Sequence, residues 1–211
     1  MRYYPVLLDL TGRKCSVIGA GSVAERKARS LIDAQASVEV ISPALSPGLK
    51  TLLRQGKISH IACNYRRGLA KGAFLVIAAT DDNKVNLAVS REAQRRGILT
   101  NIVDVPKISN FIVPSVIKKG GLIIAVSTSG MAPCLSKKIR IDLTKNFLPR
   151  YIKLLKVVDA VRKELKSSCP GLAGRKGLLT RLVNSPKACE YSKCFSKKVP
   201  GKLVRKILSE L

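Results

Sequence analysis

The sequence predicts an α/β fold: a parallel sheet of Rossmann type, followed by a small α+β segment and a basic helical C-terminal region. Three observations predict it. Lys14–Ala28 reads as a short apolar strand, a tight glycine turn and the start of a helix, with G-x-G-x-x-A spacing at Gly19, Gly21 and Ala24. Phe74–Ala79, FLVIAA, is a continuous apolar run of the kind found in a parallel strand covered on both faces. At Phe111 the strand–helix alternation gives way to two apolar β segments and then to helices.

In chain order, Tyr3–Leu10 is expected as a short strand or extended arm and Lys14–Ile18 as the first sheet strand. Gly19 permits the sharp turn, Gly21 omits a Cβ so that a pyrophosphate can approach, and Ala24 lets the helix pack close. The helix Val23–Ile32 carries one apolar stripe, and its first N–H groups are available to phosphates. Strand two, Val38–Ile41, ends at Ser42–Pro43 with no acidic residue to grip a ribose. Ser42 and the Pro43–Ala44 backbone are therefore the candidate ribose contacts, and NAD and NADP both stay open. Ser46 and Pro47 start a helix that stops at Gly56. A third strand, Ile58–Tyr65, holds His60, the single histidine, which is read as structural. After Phe74–Ala79, residues Thr80, Asp81, Asp82 and Asn83 cap a helix Lys84–Arg96. Thr80 and Asp81 also lie where doubly wound sheets bind ligands. Ile98–Val103 is the fifth strand, with Asn101 and Asp104 at its carboxyl end. Asp104 suits either catalysis or an Asx turn before Val105–Pro106.

Ile112–Ile117 and Leu122–Ser127, joined by Lys118–Gly121, read as a hairpin. Helices are expected at Pro133–Phe147, Arg150–Leu165, Gly174–Val183 and Gly201–Leu211, with Cys169–Pro170–Gly171 as a linker. The tail is too short for a core of its own and is expected to pack on its neighbour or on a second subunit. Lys and Arg number 39 against 13 Asp and Glu, a net charge of +26. The last 62 residues alone carry 16 basic and 4 acidic groups. Such a field suits a polyanion, either nucleic acid or a small molecule with many carboxylates, or serves solubility alone. No apolar run reaches membrane-span length, and the start resembles no signal peptide. The six cysteines lack a metal-site pattern; Cys189 and Cys194 have no second pair or nearby His. Free thiols in the cytoplasm are expected, with no protein-held metal.

Three segments together resemble the precorrin-2 dehydrogenase and sirohydrochlorin ferrochelatase family, the siroheme-synthase N-terminal module. They are YYPVLLDLTGRKCSVIGAGSVAERKARSL, FLVIAATDD with Asn86, and NIVDVPKISNFIVPSVIKKGGLIIAVSTSG. The resemblance covers about residues 1–149 closely and the tail more weakly. It implies an NAD-binding Rossmann domain (1–113), a dimerisation domain (114–149) and a helical C-terminal domain (150–211), assembled as a homodimer. It implies oxidation of precorrin-2 to sirohydrochlorin with NAD, and in some members Fe2+ insertion. The substrate bears eight carboxylates, which gives the basic surface a use. Carried over residue by residue, Asp104 is the catalytic acid–base, Ser22, Val23, Pro43 and Ala44 join the cofactor set, and Ser127 and Thr128 line the tetrapyrrole pocket. Ala132 stands before Pro133 where the family commonly has Ser, which alters that wall. The alternative is an NAD-binding regulatory or nucleic-acid-binding protein using the basic tail. An acid at the crevice favours the enzyme, and the tail has no aromatic-rich or helix-turn-helix pattern.

Overall fold

The structure, a computed structural model, describes residues 2–168, 171–191, 195 and 199–210. By internal packing the chain divides into two compact units, Met1–Val113 and Pro114–Leu211.

In the first unit five parallel strands form a sheet in the order β3-β2-β1-β4-β5. They are β1 (Lys14–Ile18), β2 (Ser37–Ile41), β3 (Ile58–Ile61), β4 (Leu75–Ala78) and β5 (Leu99–Ile102). The helices are α1 (Ser22–Ile32), α2 (Pro47–Arg54) and α3 (Asn83–Arg95). The chain steps outward from β1 to β3, then returns to place β4 on the other side of β1. Neighbouring connections therefore leave in opposite directions between β1 and β4, the point at which such sheets bind ligands. β4 is LVIA with every residue buried, as its unbroken apolar run predicts. Ala24 and Ala28 of α1 are fully buried against Val17, Val40 and Ile77; larger side chains there would push the helix off the sheet. On the other core, Val89 and Ala93 of α3 pack with Ile18, Val76 and Ile102.

Caps follow the sequence reading. Ser46 accepts the Leu49 N–H at the start of α2, and Asp82 accepts those of Lys84 and Val85 at the start of α3. Tyr3–Leu10 takes no helix or strand and joins neither sheet, so the expected strand is not found. β3 ends at Ile61, short of the expected Tyr65, because the chain leaves the edge there. The following loop is fastened by Glu92 of α3. That carboxylate, 3% exposed, accepts from Tyr65 Oη at 2.7 Å, the Gly68 N–H at 2.9 Å and Arg96 Nε at 3.0 Å.

In the second unit β6 (Ser115–Lys119) and β7 (Leu122–Val126) form a two-stranded antiparallel ladder. It begins three residues later than predicted, since Pro114 carries no N–H for a ladder. Gly120 takes a φ of 58° in the turn. Helices α4 (Pro133–Asn146), α5 (Leu148–Ser168), α6 (Leu172–Asn184), α7 (Ala188–Tyr191) and α8 (Gly201–Glu210) follow. Pro149 opens α5, where a missing N–H costs nothing. The tail overturns the expectation that it cannot form a core. Val157, Val161 and Leu165 of α5 meet Leu182, Tyr191, Val204 and Ile207 in one buried cluster. The sequence reading missed α7, which supplies Tyr191, whose hydroxyl donates to Glu210 at 2.7 Å. The linker residues Cys169 and Pro170, Cys194 of the Cys189–Cys194 spacing, and Leu211 lie outside the described residues.

Burial works against the Glu92 carboxylate, but its three donors outweigh it and hold its pKa below the ordinary 4.5. A depressed folded-state pKa contributes stability that is present above 4.5 and is lost as pH falls through the folded value. Glu92→Gln is expected to lower unfolding stability at pH 7 by about 1–3 kcal/mol and to flatten the loss of stability on acidification, read by urea titration across pH.

Candidate functional site

All five strands are parallel, so the segments after β1, β2, β4 and β5 emerge on one edge of the sheet. That edge collects Gly19–Val23, Ser42–Ala44, Thr80–Asp81 and Asn101–Asp104, every first-unit residue singled out from the sequence.

The glycine turn has two unlike constraints. Gly19 takes a φ of 106°, and a Cβ there would fall on the Ala79 carbonyl, 2.9 Å from its carbon. Its N–H donates to the Ile41 carbonyl at 3.0 Å, so the turn is fixed to both neighbouring strands. Gly21 precedes α1 in extended backbone, and a Cβ there would meet nothing within 4 Å. Nothing in the protein demands glycine at 21, whereas a ligand lying on the backbone would. α1 also has no side-chain cap, leaving the N–H groups of Ser22 and Val23 for an anion. This arrangement suits a dinucleotide pyrophosphate.

Ser42 is buried and its hydroxyl donates to the Ala44 carbonyl at 2.8 Å, shaping the turn in which Pro43 and Ala44 are exposed. His60 Nε2 reaches the Ser42 carbonyl at 2.9 Å, the structural part expected of it. Glu39 pairs with Lys14 at 3.1 Å, within the strand and away from its carboxyl end. Glu25 is a residue the sequence reading missed. Its carboxylate accepts from Ser46 Oγ at 2.9 Å and Arg29 Nη2 at 2.8 Å, beside the loop after β2. Arg29 and then Ser46 hold it below the usual carboxylate range. A Cβ on Gly48 would collide with it. No local pattern signals this, because it depends on how α1 meets α2.

Thr80 locks the switch-point loop to α3. Its hydroxyl donates to Asn86 Oδ1 at 3.0 Å, and Asn86 Nδ2 donates back to the Thr80 carbonyl at 3.0 Å. Asp81 is exposed beside it. Asn101 is buried, with its amide nitrogen donating to the Phe111 carbonyl at 3.1 Å. Asp104 is exposed and has a φ of 60°, rare for a residue with a side chain. Its turn closes by Val105 N–H to Ile102 carbonyl at 3.2 Å. Buried Ser109 clamps it, accepting the Ile102 N–H at 2.9 Å and contacting the Val105 carbonyl at 3.0 Å. Ser109 is the second residue the sequence reading missed.

Ser127 and Thr128 lie in the second unit, before α4. Ser127 Oγ accepts the Ser129 N–H and Thr128 Oγ1 accepts the Ala132 N–H, each at 3.1 Å. α4 has no side-chain cap at Ala132, in line with the departure read from the sequence. Among the described residues no three His, Cys, Asp or Glu cluster as metal ligands, and no helix is long and apolar enough to cross a membrane.

Residues 6–115, a little over half the chain, match the family described as "Putative NAD(P)-binding". The chain belongs to this family. Its relatives include the siroheme synthase of Methylobacillus flagellatus, 42% identical over 79% of this chain and 36% of that protein. The siroheme synthase of Pseudomonas paraeruginosa is 33% identical over all of this chain and 47% of that protein. The chain thus spans less than half the length of these curated relatives. A solved structure of SirC, precorrin-2 dehydrogenase, superposes with a TM-score of 0.80 at 22% identity, covering 99% of this chain and 98% of that one. The resemblance read from the motifs is supported by these relatives, and the Rossmann-type fold by the superposition.

Within this NAD(P)-binding family member, Gly21→Asp is expected to leave the melting temperature and far-UV circular dichroism unchanged. It weakens NAD+ binding more than tenfold, read by isothermal titration calorimetry, because the new carboxylate occupies the phosphate approach.

Proposed function

We propose that the chain is the NAD-dependent precorrin-2 dehydrogenase of siroheme biosynthesis. The observation that carries this reading is Asp104: an exposed carboxylate on a clamped left-handed turn, on the same sheet edge as the glycine turn. Bound NAD+ supplies a hydride acceptor at this edge. The oxidation also releases a proton from the macrocycle, and in this reading Asp104 takes it. Its exposure suits a substrate as wide as a tetrapyrrole. Gly19–Val23 seat the pyrophosphate, the Ser42–Ala44 turn meets the ribose, and Thr80, Asp81 and Asn101 shape the wall at the switch point. Ser127 and Thr128 are the substrate-contact candidates of the second unit. The surplus of cations, +26 overall, complements a substrate with eight carboxylates. The three free thiols among the described residues suit a reducing cytoplasm.

Asp104→Ala is expected to abolish anaerobic, absorbance-monitored conversion of precorrin-2 while NAD+ binding persists; unchanged turnover removes Asp104 from the chemistry. In the wild type, NADH and sirohydrochlorin form together. Fe2+ is then added as substrate. An enzyme-dependent shift to siroheme assigns chelation to this chain as well, the macrocycle itself supplying the metal ligands. NAD+ binding without turnover supports a regulatory protein instead, tested by salt-dependent DNA binding.

A homodimer through the second unit is part of this proposal. A two-stranded ladder is marginal alone, and among the described residues no strand pairs with the outer edges of β6 and β7. Exposed Ile123, Met131, Leu135 and Phe147 lie in the same unit. Light scattering is expected to give twice the 22.9 kDa chain mass, and Ile123→Lys to shift it toward the monomer.

A further inference from the structure

The loop after β2 leads to a carboxylate. Ser42–Ala44, the turn proposed above to meet the ribose, runs on into Ser46, the N-cap of α2. The Ser46 hydroxyl donates to Glu25 Oε2 at 2.9 Å. The other oxygen of Glu25 is held by Arg29, whose Nε and Nη2 both donate to it, at 3.0 and 2.8 Å. A Cβ on Gly48 would overlap the same carboxylate, so Glu25 lies against the first turn of α2. The N-terminus of a helix attracts anions, and here an anion of the protein itself already lies against it. Glu25 belongs to α1, one turn beyond Ser22. Ser22, Glu25, Arg26, Arg29 and Ser30 line an open hollow of about 360 Å³ along that helix. The hollow therefore runs from the N–H end of α1 that suits a pyrophosphate to the Glu25–Arg29 pair.

These positions bear on the one chemical difference between the two nicotinamide dinucleotides. NADP carries a phosphate on the 2′ oxygen of the adenosine ribose, where NAD carries a hydroxyl, and a site for NADP presents a cation there. Ser42 to Leu49, SPALSPGL, contains no Lys, Arg or His. His60 Nε2 is turned to the Ser42 carbonyl at 2.9 Å. Arg29 is half exposed, but its guanidinium is committed to Glu25. Arg26 on α1 and Lys50 in the first turn of α2 are exposed, and water screens them. A 2′-phosphate entering this region meets a carboxylate and a guanidinium that is already paired. An acid at the end of β2 is the common way to favour the bare ribose, and this chain has none there; the carboxylate comes instead from α1.

We propose that Glu25 is a specificity-determining residue, turning the site toward NAD by repelling a 2′-phosphate and by withholding Arg29 from it. This rests on the seating of the ribose at Ser42–Ala44 and is independent of the oxidation. Discrimination is a difference between two affinities, and an unfavourable element toward one ligand serves it as well as a contact to the other.

The test measures Kd for NAD+ and for NADP+ by isothermal titration calorimetry on the full-length protein and follows their ratio. The wild type is expected to bind NADP+ at least about tenfold more weakly than NAD+. Glu25→Gln keeps the size of the side chain and an oxygen for Ser46, removes the charge and frees Arg29. It is expected to narrow the gap between the two dinucleotides by at least about fivefold. A merely structural role for Glu25 weakens both alike and leaves the ratio where it was. Arg29→Ala removes the counterion and is expected to widen the gap; it decides the matter if Glu25→Gln does not fold. A wild type that takes NADP+ as tightly as NAD+, or an unmoved ratio in the variant measured, overturns the proposal and leaves the cofactor site standing. A wild type that binds neither dinucleotide rejects the seating of the cofactor on this edge, and the preference with it.

Discussion

Where β1 ends, the backbone of β4 leaves no room for a side chain. The Ala79 carbonyl occupies the space that a Cβ on Gly19 would need, while the Gly19 N–H is tied to β2 on the other side. This close passage sets the direction in which the chain leaves the sheet. It thereby fixes where α1 begins and where its unpaired N–H groups lie. Two residues later a Cβ on Gly21 would meet nothing within 4 Å, so the two glycines answer to different demands, one from the fold and one from a ligand. The Thr80–Asn86 pair secures the opposite bank of the same gap.

The sheet was legible in the sequence because its signals are local. A glycine turn after an apolar strand, a run such as FLVIAA, and caps such as Ser46 and Asp82 each act over a few residues, and each stands where it was read. What escaped the reading depends on distant pairing. Glu25 beside Ser46, Ser109 under the Asp104 turn, and Glu92 beneath Tyr65 are ordinary polar residues until the packing of helices and loops gives them partners. Helical periodicity located α5, α6 and α8 but did not reveal that their apolar stripes meet. α7 is a single turn, too short for any periodic signal, yet it delivers Tyr191 to the core that the tail was not expected to have.

Charge is distributed unevenly with respect to these cores. Buried carboxylates such as Glu92 are surrounded by donors, whereas most of the basic excess is carried on exposed faces, where each cation costs little and is screened. The left-handed backbone at Asp104 is a departure of another kind. Departures of this kind concentrate where a fold gives up local ease for a task.

The return of the chain to β1 has a kinetic side. β1 pairs with β2 across a short helical crossover, but its other edge waits for β4: Cys15 pairs with Leu75, some sixty positions later. Closing that loop costs more entropy than any other step in the sheet, and contacts that span long separations slow folding. Until it closes, β1 offers a bare hydrophobic edge to other chains. The crevice between β1 and β4 exists only once this longest loop has closed, and until then the β1 edge is open to pairing with other chains.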